Sequence, residues 1–238
     1  MHWFINSLLL NPYLDASSSI FANFPKSIRI VIASFLYCFG IKSDIAHFTS
    51  CNKHMLNCML NIDSLFDYIF KYRGVVMKIK TCCFTGHRKI PPAQYQKIAQ
   101  RLKLEIEALI KRGVVYFGVG GALGFDTIAA EAVLELRKKY PQIRLILVSP
   151  CKTQTYHWSE QDRAIYRSIQ KACDKYVCLS EKYTRDCMKK RNRHLVENSA
   201  YCICYLTKCF GGTAYTVEYA KKNGLKIVNI ADEDETIL

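Results

Sequence analysis

Glutamate is absent from the first 76 residues of this 238-residue chain, although ten occur in the remainder. Helix surfaces in water rely on Glu and Lys. This segment instead carries eight of the twelve Phe at no clear period, so it does not read as an ordinary soluble helical domain. We expect residues 1–76 to be an N-terminal extension, upstream of the native start and without a share in the chemistry. The alternative is a small helical appendage that buries Phe35, Phe39, Phe66 and Phe70. The second expected domain is 77–238, where Met77 is followed by Lys-Ile-Lys and then a strand.

Long apolar runs are missing as well. The best candidate, Ile28 to Phe39, is twelve residues long and contains Arg29, against about 20 needed to cross a bilayer. No basic stretch precedes Leu8 to Leu10, which argues against a cleaved signal peptide. The twelve cysteines include no CxxC pair, and Cys82 and Cys83 are adjacent. That arrangement disfavours a secreted disulfide framework and points to reduced thiols in a cytoplasmic protein. Cys202 and Cys204 alternate within an apolar run, where thiols act as small hydrophobes, so no metal site is expected. Ser-His-Asp, HExxH and Walker patterns are also lacking.

Acidic residues are scarce throughout: 20 Asp and Glu face 34 Lys and Arg, a formal charge of +14. The first 76 residues hold six basic and four acidic groups, so +12 of that charge belongs to residues 77–238. Such a surface favours anionic partners, whether nucleotides, nucleic acid or acidic lipid.

What is present from Lys78 onward is an alternation of two patterns. Ile79–Thr85, Val114–Val119, Ile143–Ser149, Lys175–Leu179, Tyr201–Leu206 and Leu225–Ile230 are short apolar runs bounded by Gly, Pro, Ser or charge. Between them lie amphipathic stretches. Ala93 to Arg112 places Ile98, Leu102, Ile106 and Leu109 on one face, and the segment after Gly124 does the same with Ile128, Ala132, Val133 and Leu136. Alternating strands and helices of this kind predict an α/β fold, a Rossmann-like doubly wound and mostly parallel sheet with helices on both faces. Ligands then bind beyond the carboxyl ends of the strands, so the residues that follow each strand carry the information.

After the first strand come Gly86, His87 and Arg88, a glycine that permits close approach beside donors suited to phosphate, or simply a turn with two solvated cations. After the second come Gly120, Gly121 and Gly124 at the start of a helix, the strongest phosphate-loop signal in the chain. The spacing is GxGGxxG rather than GxGxxG, and no acidic residue near the end of the third strand could grip a ribose. NAD is therefore disfavoured and no cofactor is expected. Asp126 caps that helix or meets a ligand hydroxyl. Trp158 is a stacking platform for a base, or an anchor under its loop. Before the fifth strand, Arg191 can hold phosphate and Asn192 can position a base, unless the basic run is a solvated face. After that strand, Gly211, Gly212 and Thr213 form a second anion nest, with Glu218 one to two turns into the following helix.

From Met77 to Ile230 these elements together resemble a YpsA-like member of the SLOG superfamily, the Rossmann-like group that includes DprA and the LOG phosphoribohydrolases. The resemblance rests on Thr85-Gly86-His87-Arg88, the Gly120-to-Asp126 loop, Trp158-Ser159-Glu160, Arg191-Asn192-Arg193 and Gly211-Gly212-Thr213. It implies a pocket for a nucleotide or nucleotide-derived small molecule, in a sensor or regulatory protein. LOG enzymes have an MxxR and a PGGxGTxxE motif. Met188 and Arg191 match the first, and Gly211, Gly212 and Glu218 match the second, so Arg191 and Glu218 are the catalytic candidates for N-glycosidic hydrolysis of a nucleoside monophosphate. Phe210, Ala214 and Tyr215 replace the Pro, a Gly and the Thr of that motif, and these replacements argue against hydrolysis. The Arg191-Asn192-Arg193 run resembles DprA and keeps single-stranded DNA binding open, as homo-oligomerisation is left open.

Overall fold

A computed structural model describes residues 74–231. Residues 74–79 are helical, so the first strand, β1, begins at Thr81 rather than at Ile79. The reason is local: the Met77 carbonyl accepts the Lys80 N–H (3.2 Å) and the Thr81 hydroxyl (2.7 Å), closing a turn just ahead of the strand.

The element order is β1 (Thr81–Gly86), α1 (Pro92–Lys111), β2 (Tyr116–Val119), α2 (Phe125–Lys139), β3 (Arg144–Ser149), α3 (Glu160–Ala172), β4 (Lys175–Cys178), α4 (Cys187–Glu197), β5 (Tyr201–Tyr205), α5 (Gly212–Lys222) and β6 (Lys226–Asn229). Sequence chemistry marks the helix ends. Pro92 opens α1, where its missing N–H costs nothing, and Gly113 at φ +88° turns the chain out after it. Ser159 caps α3 by accepting the Asp162 N–H at 3.1 Å, and its hydroxyl donates back to the Asp162 carboxylate at 2.7 Å.

All six strands are parallel, in the order β4-β3-β2-β1-β5-β6. The chain therefore builds outward from β1 in one direction through β4, crosses over, and builds the other way from β5. Right-handed crossovers in opposite directions put their helices on opposite faces. One core packs α1, α2 and α3 on the sheet through Leu102, Ile106, Phe125, Val133 and Ile169 against Phe84, Phe117, Leu145 and Ile203. The other packs α4 and α5 through Leu195, Val196, Val217 and Ala220 against Cys83, Cys202 and Cys204. Adjacent Cys82 and Cys83 thus face opposite cores, as strand alternation requires. Each fully buried Phe or Leu contributes about 1.5–3 kcal/mol. Among the described residues all nine cysteines are free, and no helix is long and apolar enough to cross a membrane.

Candidate functional site

The strand order reverses between β1 and β5, and the loops that leave their carboxyl ends flank this switch point, the place where open parallel sheets bind their ligands. The two loops are tied together: the Thr207 N–H donates to His87 Nε2 at 3.0 Å, and the His87 ring meets Tyr205 edge-on at 5.9 Å. Accepting that bond requires a neutral imidazole, and burial, followed by the nearby Lys208 charge, lowers the His87 pKa and favours that form.

Beside these loops lies an ion pair the sequence did not announce. Arg191, from the second turn of α4, reaches over the carboxyl edge of the sheet to Asp126 in the first turn of α2, with Nη1 3.3 Å from Oδ2. The two side chains are only 6% and 7% exposed. Burial pushes the Asp126 carboxyl above the ordinary range, against the pull of Arg191, the Ala122 and Gly120 N–H groups and Arg88. Burial likewise draws the Arg191 guanidinium down, against the pull of Asp126. Desolvation outweighs attraction on both partners, the usual balance for a buried pair. The Arg191 Nε has no hydrogen-bond partner at all.

The glycine loop between β2 and α2 is shaped around this pair. A Cβ on Gly120 would overlap Arg191 Nη1, so glycine there makes room for the guanidinium. Gly124, at φ +76°, lets the loop pass the backbone of Arg88, and the Phe125 N–H donates to the His87 carbonyl at 3.1 Å. Loop donors face inward: the Ala122 N–H donates to Asp126 Oδ2 at 3.2 Å, and the Gly120 N–H points at the same carboxylate. Loop acceptors face the other way. Buried Gln154, in the loop after β3, donates from Nε2 to the Gly121 carbonyl at 2.7 Å, and the Ser149 hydroxyl sits 3.0 Å from its Oε1. No sequence signal singled out Gln154, because a lone glutamine in a loop has no diagnostic spacing.

The remaining candidates lie in different settings. Gly86 is in van der Waals contact with Phe125, and a Cβ there would collide with that ring. The half-buried Trp158 meets Tyr166 edge-on at 5.7 Å and packs on the core, so it anchors its loop. Asn192 donates to Thr216 Oγ1 at 2.7 Å and joins α4 to α5. At the start of α5, Gly211 (φ +97°), Gly212 and Thr213 are not capped by any side chain, and Cβ atoms on the two glycines would meet open space. Glu218 is 62% exposed and paired with Lys221 at 3.3 Å. Arg88 is exposed, close enough to Asp126 and Arg191 to influence both.

A separate groove of about 580 Å³ lies between α1 and α2. Lys103–Glu135 (2.6 Å) and Lys139–Glu107 (3.0 Å) bridge it on the outer helical face, away from the strand carboxyl ends. Among the described residues no group of three or more His, Cys, Asp or Glu could hold a metal ion.

Known proteins place this geometry in a family. The chain is 30% identical over 142 residues to the SPbeta prophage-derived protein YoqJ of Bacillus subtilis, covering 54% of this chain and 83% of that protein. It is 31% identical over 128 residues to a UPF0398 protein of Halalkalibacterium halodurans, covering 52% and 68%. Among solved structures, DNA processing protein A from Helicobacter pylori aligns with a TM-score of 0.46 at 22% identity, over 65% of this chain and 66% of that one. The Streptococcus pneumoniae protein of the same name aligns at 0.48 and 18%, over 64% and 50%. The chain therefore spans less than two thirds of either solved structure. The model of the YspA SLOG family matches residues 83–231, which contain both glycine loops, the Asp126–Arg191 pair and every strand but the first two residues of β1. Over that span, more than half its length, the chain belongs to the YspA SLOG family.

Proposed function

We propose that this protein binds a nucleotide or nucleotide-derived anion in the crevice between the β1 and β5 loops, as a sensor or regulatory protein. The observation that carries this reading is the uncapped start of α5 at Gly211-Gly212-Thr213, set where the sheet reverses. Its N–H groups carry the positive end of the helix dipole and have no side-chain acceptor. Arg88 supplies an exposed cation from the neighbouring β1 loop, and His87 links the two loops. Gly86, Gly120, Gly121 and Gly124 shape the wall and floor, and Asp126 and Arg191 set the charge beneath. Hydrolysis is the weaker reading, because Glu218 stands in solvent beside Lys221 and Arg191 is buried against Asp126.

Nucleoside mono- and diphosphates titrated onto the full chain should raise its melting temperature. At 100 times the dissociation constant the added stability is about 2.7 kcal/mol. Arg88→Ala should weaken binding about 10- to 100-fold, the cost of a charge-assisted hydrogen bond, and leave the unliganded melting temperature unchanged. A flat response to every nucleotide sinks the reading.

A second reading, single-stranded nucleic acid, has its own observation on the α4–α5 surface. Lys189 and Arg193 lie over the Tyr215 ring at 5.5 and 5.9 Å, and Arg193 also covers Tyr219 at 5.5 Å. The Arg193 Nε donates to the Tyr215 hydroxyl at 2.8 Å, fixing the guanidinium at the surface. If a strand tracks this surface, log affinity should fall against log salt with a slope of about −0.7 per phosphate contacted, and Arg193→Ala should make it shallower. A shallow slope in the unmodified protein leaves only a one-nucleotide site.

A further inference from the structure

The Gly120–Gly124 loop has the composition of a phosphate cradle, yet its donors already hold an anion from the same chain. The Ala122 N–H (3.2 Å) and the Gly120 N–H converge on the Asp126 carboxylate, and Arg191 Nη1 meets the same oxygen at 3.3 Å. The peptide planes are fixed from behind, because Gln154 takes the Gly121 carbonyl at 2.7 Å and approaches that of Gly120 at 3.4 Å. In a trans peptide the next N–H points the opposite way, so the Gly121 carbonyl bond aims the Ala122 N–H at the carboxylate. An unpartnered donor, Arg191 Nε, is buried beside this cluster.

We propose that this loop and Arg191 form an oxyanion site that Asp126 occupies in place of a ligand. A carboxylate or phosphate is the chemical class that fits it: two backbone donors and a guanidinium match a small planar or tetrahedral oxyanion. This deepens the nucleotide reading and rests on it in one respect. With the loop filled from within, the ligand's phosphate goes to Gly211-Gly212-Thr213, and the first glycine loop serves as a rigid wall.

Truncating the carboxylate vacates the site, and formate, acetate and inorganic phosphate are the probes. Asp126→Ala in the full chain should melt about 10 °C lower than the unmodified protein. Formate or acetate, at ionic strength matched with sodium chloride, should raise the Asp126→Ala melting temperature by about 3–5 °C more than that of the unmodified protein. Asp126→Asn keeps the nest filled by a neutral amide and should gain no such increment. If Asp126→Ala does not fold in chloride, the same anions should restore its far-ultraviolet circular dichroism. Equal responses of the variant and the unmodified protein, or no recovery of fold, overturn the proposal. Rescue of Asp126→Ala in a protein whose melting temperature no nucleotide shifts would support the filled site and remove the crevice reading.

Discussion

Arg191→Ala should lower the unfolding free energy by about 3–5 kcal/mol, read as a reduced urea midpoint, because it strands the Asp126 carboxylate in a site that is 7% exposed. The loss should depend on pH in a predictable direction. Burial already raises the folded-state pKa of Asp126, and the Arg191 charge is the largest influence holding it down. Without Arg191 the folded pKa rises further above the unfolded value. A carboxyl with a raised folded pKa favours the folded state fully below its unfolded pKa, and that advantage disappears as pH rises through the folded value. The gap between variant and unmodified protein should therefore be widest near neutral pH and narrow on acidification toward the ordinary aspartate range. A gap that is constant with pH would mean that Asp126 is not stranded, and that Arg191 acts through packing alone. Replacing both partners, as Asp126→Asn with Arg191→Met, should recover much of the loss, since no buried charge then remains.

Gly120→Ala should cost about 3 kcal/mol or more, although a single methyl group is added to a backbone that does not occupy the left-handed region. The new Cβ would fall on Arg191 Nη1, and the buried guanidinium must leave its place against Asp126. Its displacement breaks the pair with Asp126 as surely as truncation does. The two substitutions therefore share one cause and should not add. In an Arg191→Ala background the further cost of Gly120→Ala should fall below about 1 kcal/mol, which a double-mutant cycle by urea denaturation would read. Additive losses would show that Gly120 is required for a reason other than room for Arg191. Gly86→Ala is a useful contrast: its Cβ would strike the Phe125 ring, so its cost should stay the same with or without Arg191.

The sequence by itself determined the architecture of residues 74–231. Apolar runs of strand length, alternating with amphipathic stretches such as Ile98-Leu102-Ile106-Leu109, can bury both faces of a sheet only if it is parallel and covered by helices on each side. The strand ends were legible to within two residues, because glycine, proline and charge punctuate the runs. The largest offsets, two residues, fall at the starts of β1 and β2, and at β1 the helical turn at 74–79 depends on Met77 accepting two hydrogen bonds rather than on composition. The glycine loops after the strands were also legible, because closely spaced glycines at a helix start mark a tight turn.

Only the tertiary structure decided what those loops do. Asp126 and Arg191 are 65 residues apart and come from helices on opposite sheet faces, so no local pattern could pair them. Strand order likewise has no local signature. It follows from the crossover between β4 and β5, which sets the switch point beside β1 and carries Arg191 across the sheet edge. A glycine-rich loop at a helix start advertises its free N–H groups in sequence. Asp126, four residues on, accepts from the Ala122 N–H, and what the fold adds is Arg191, brought to the same oxygen at 3.3 Å.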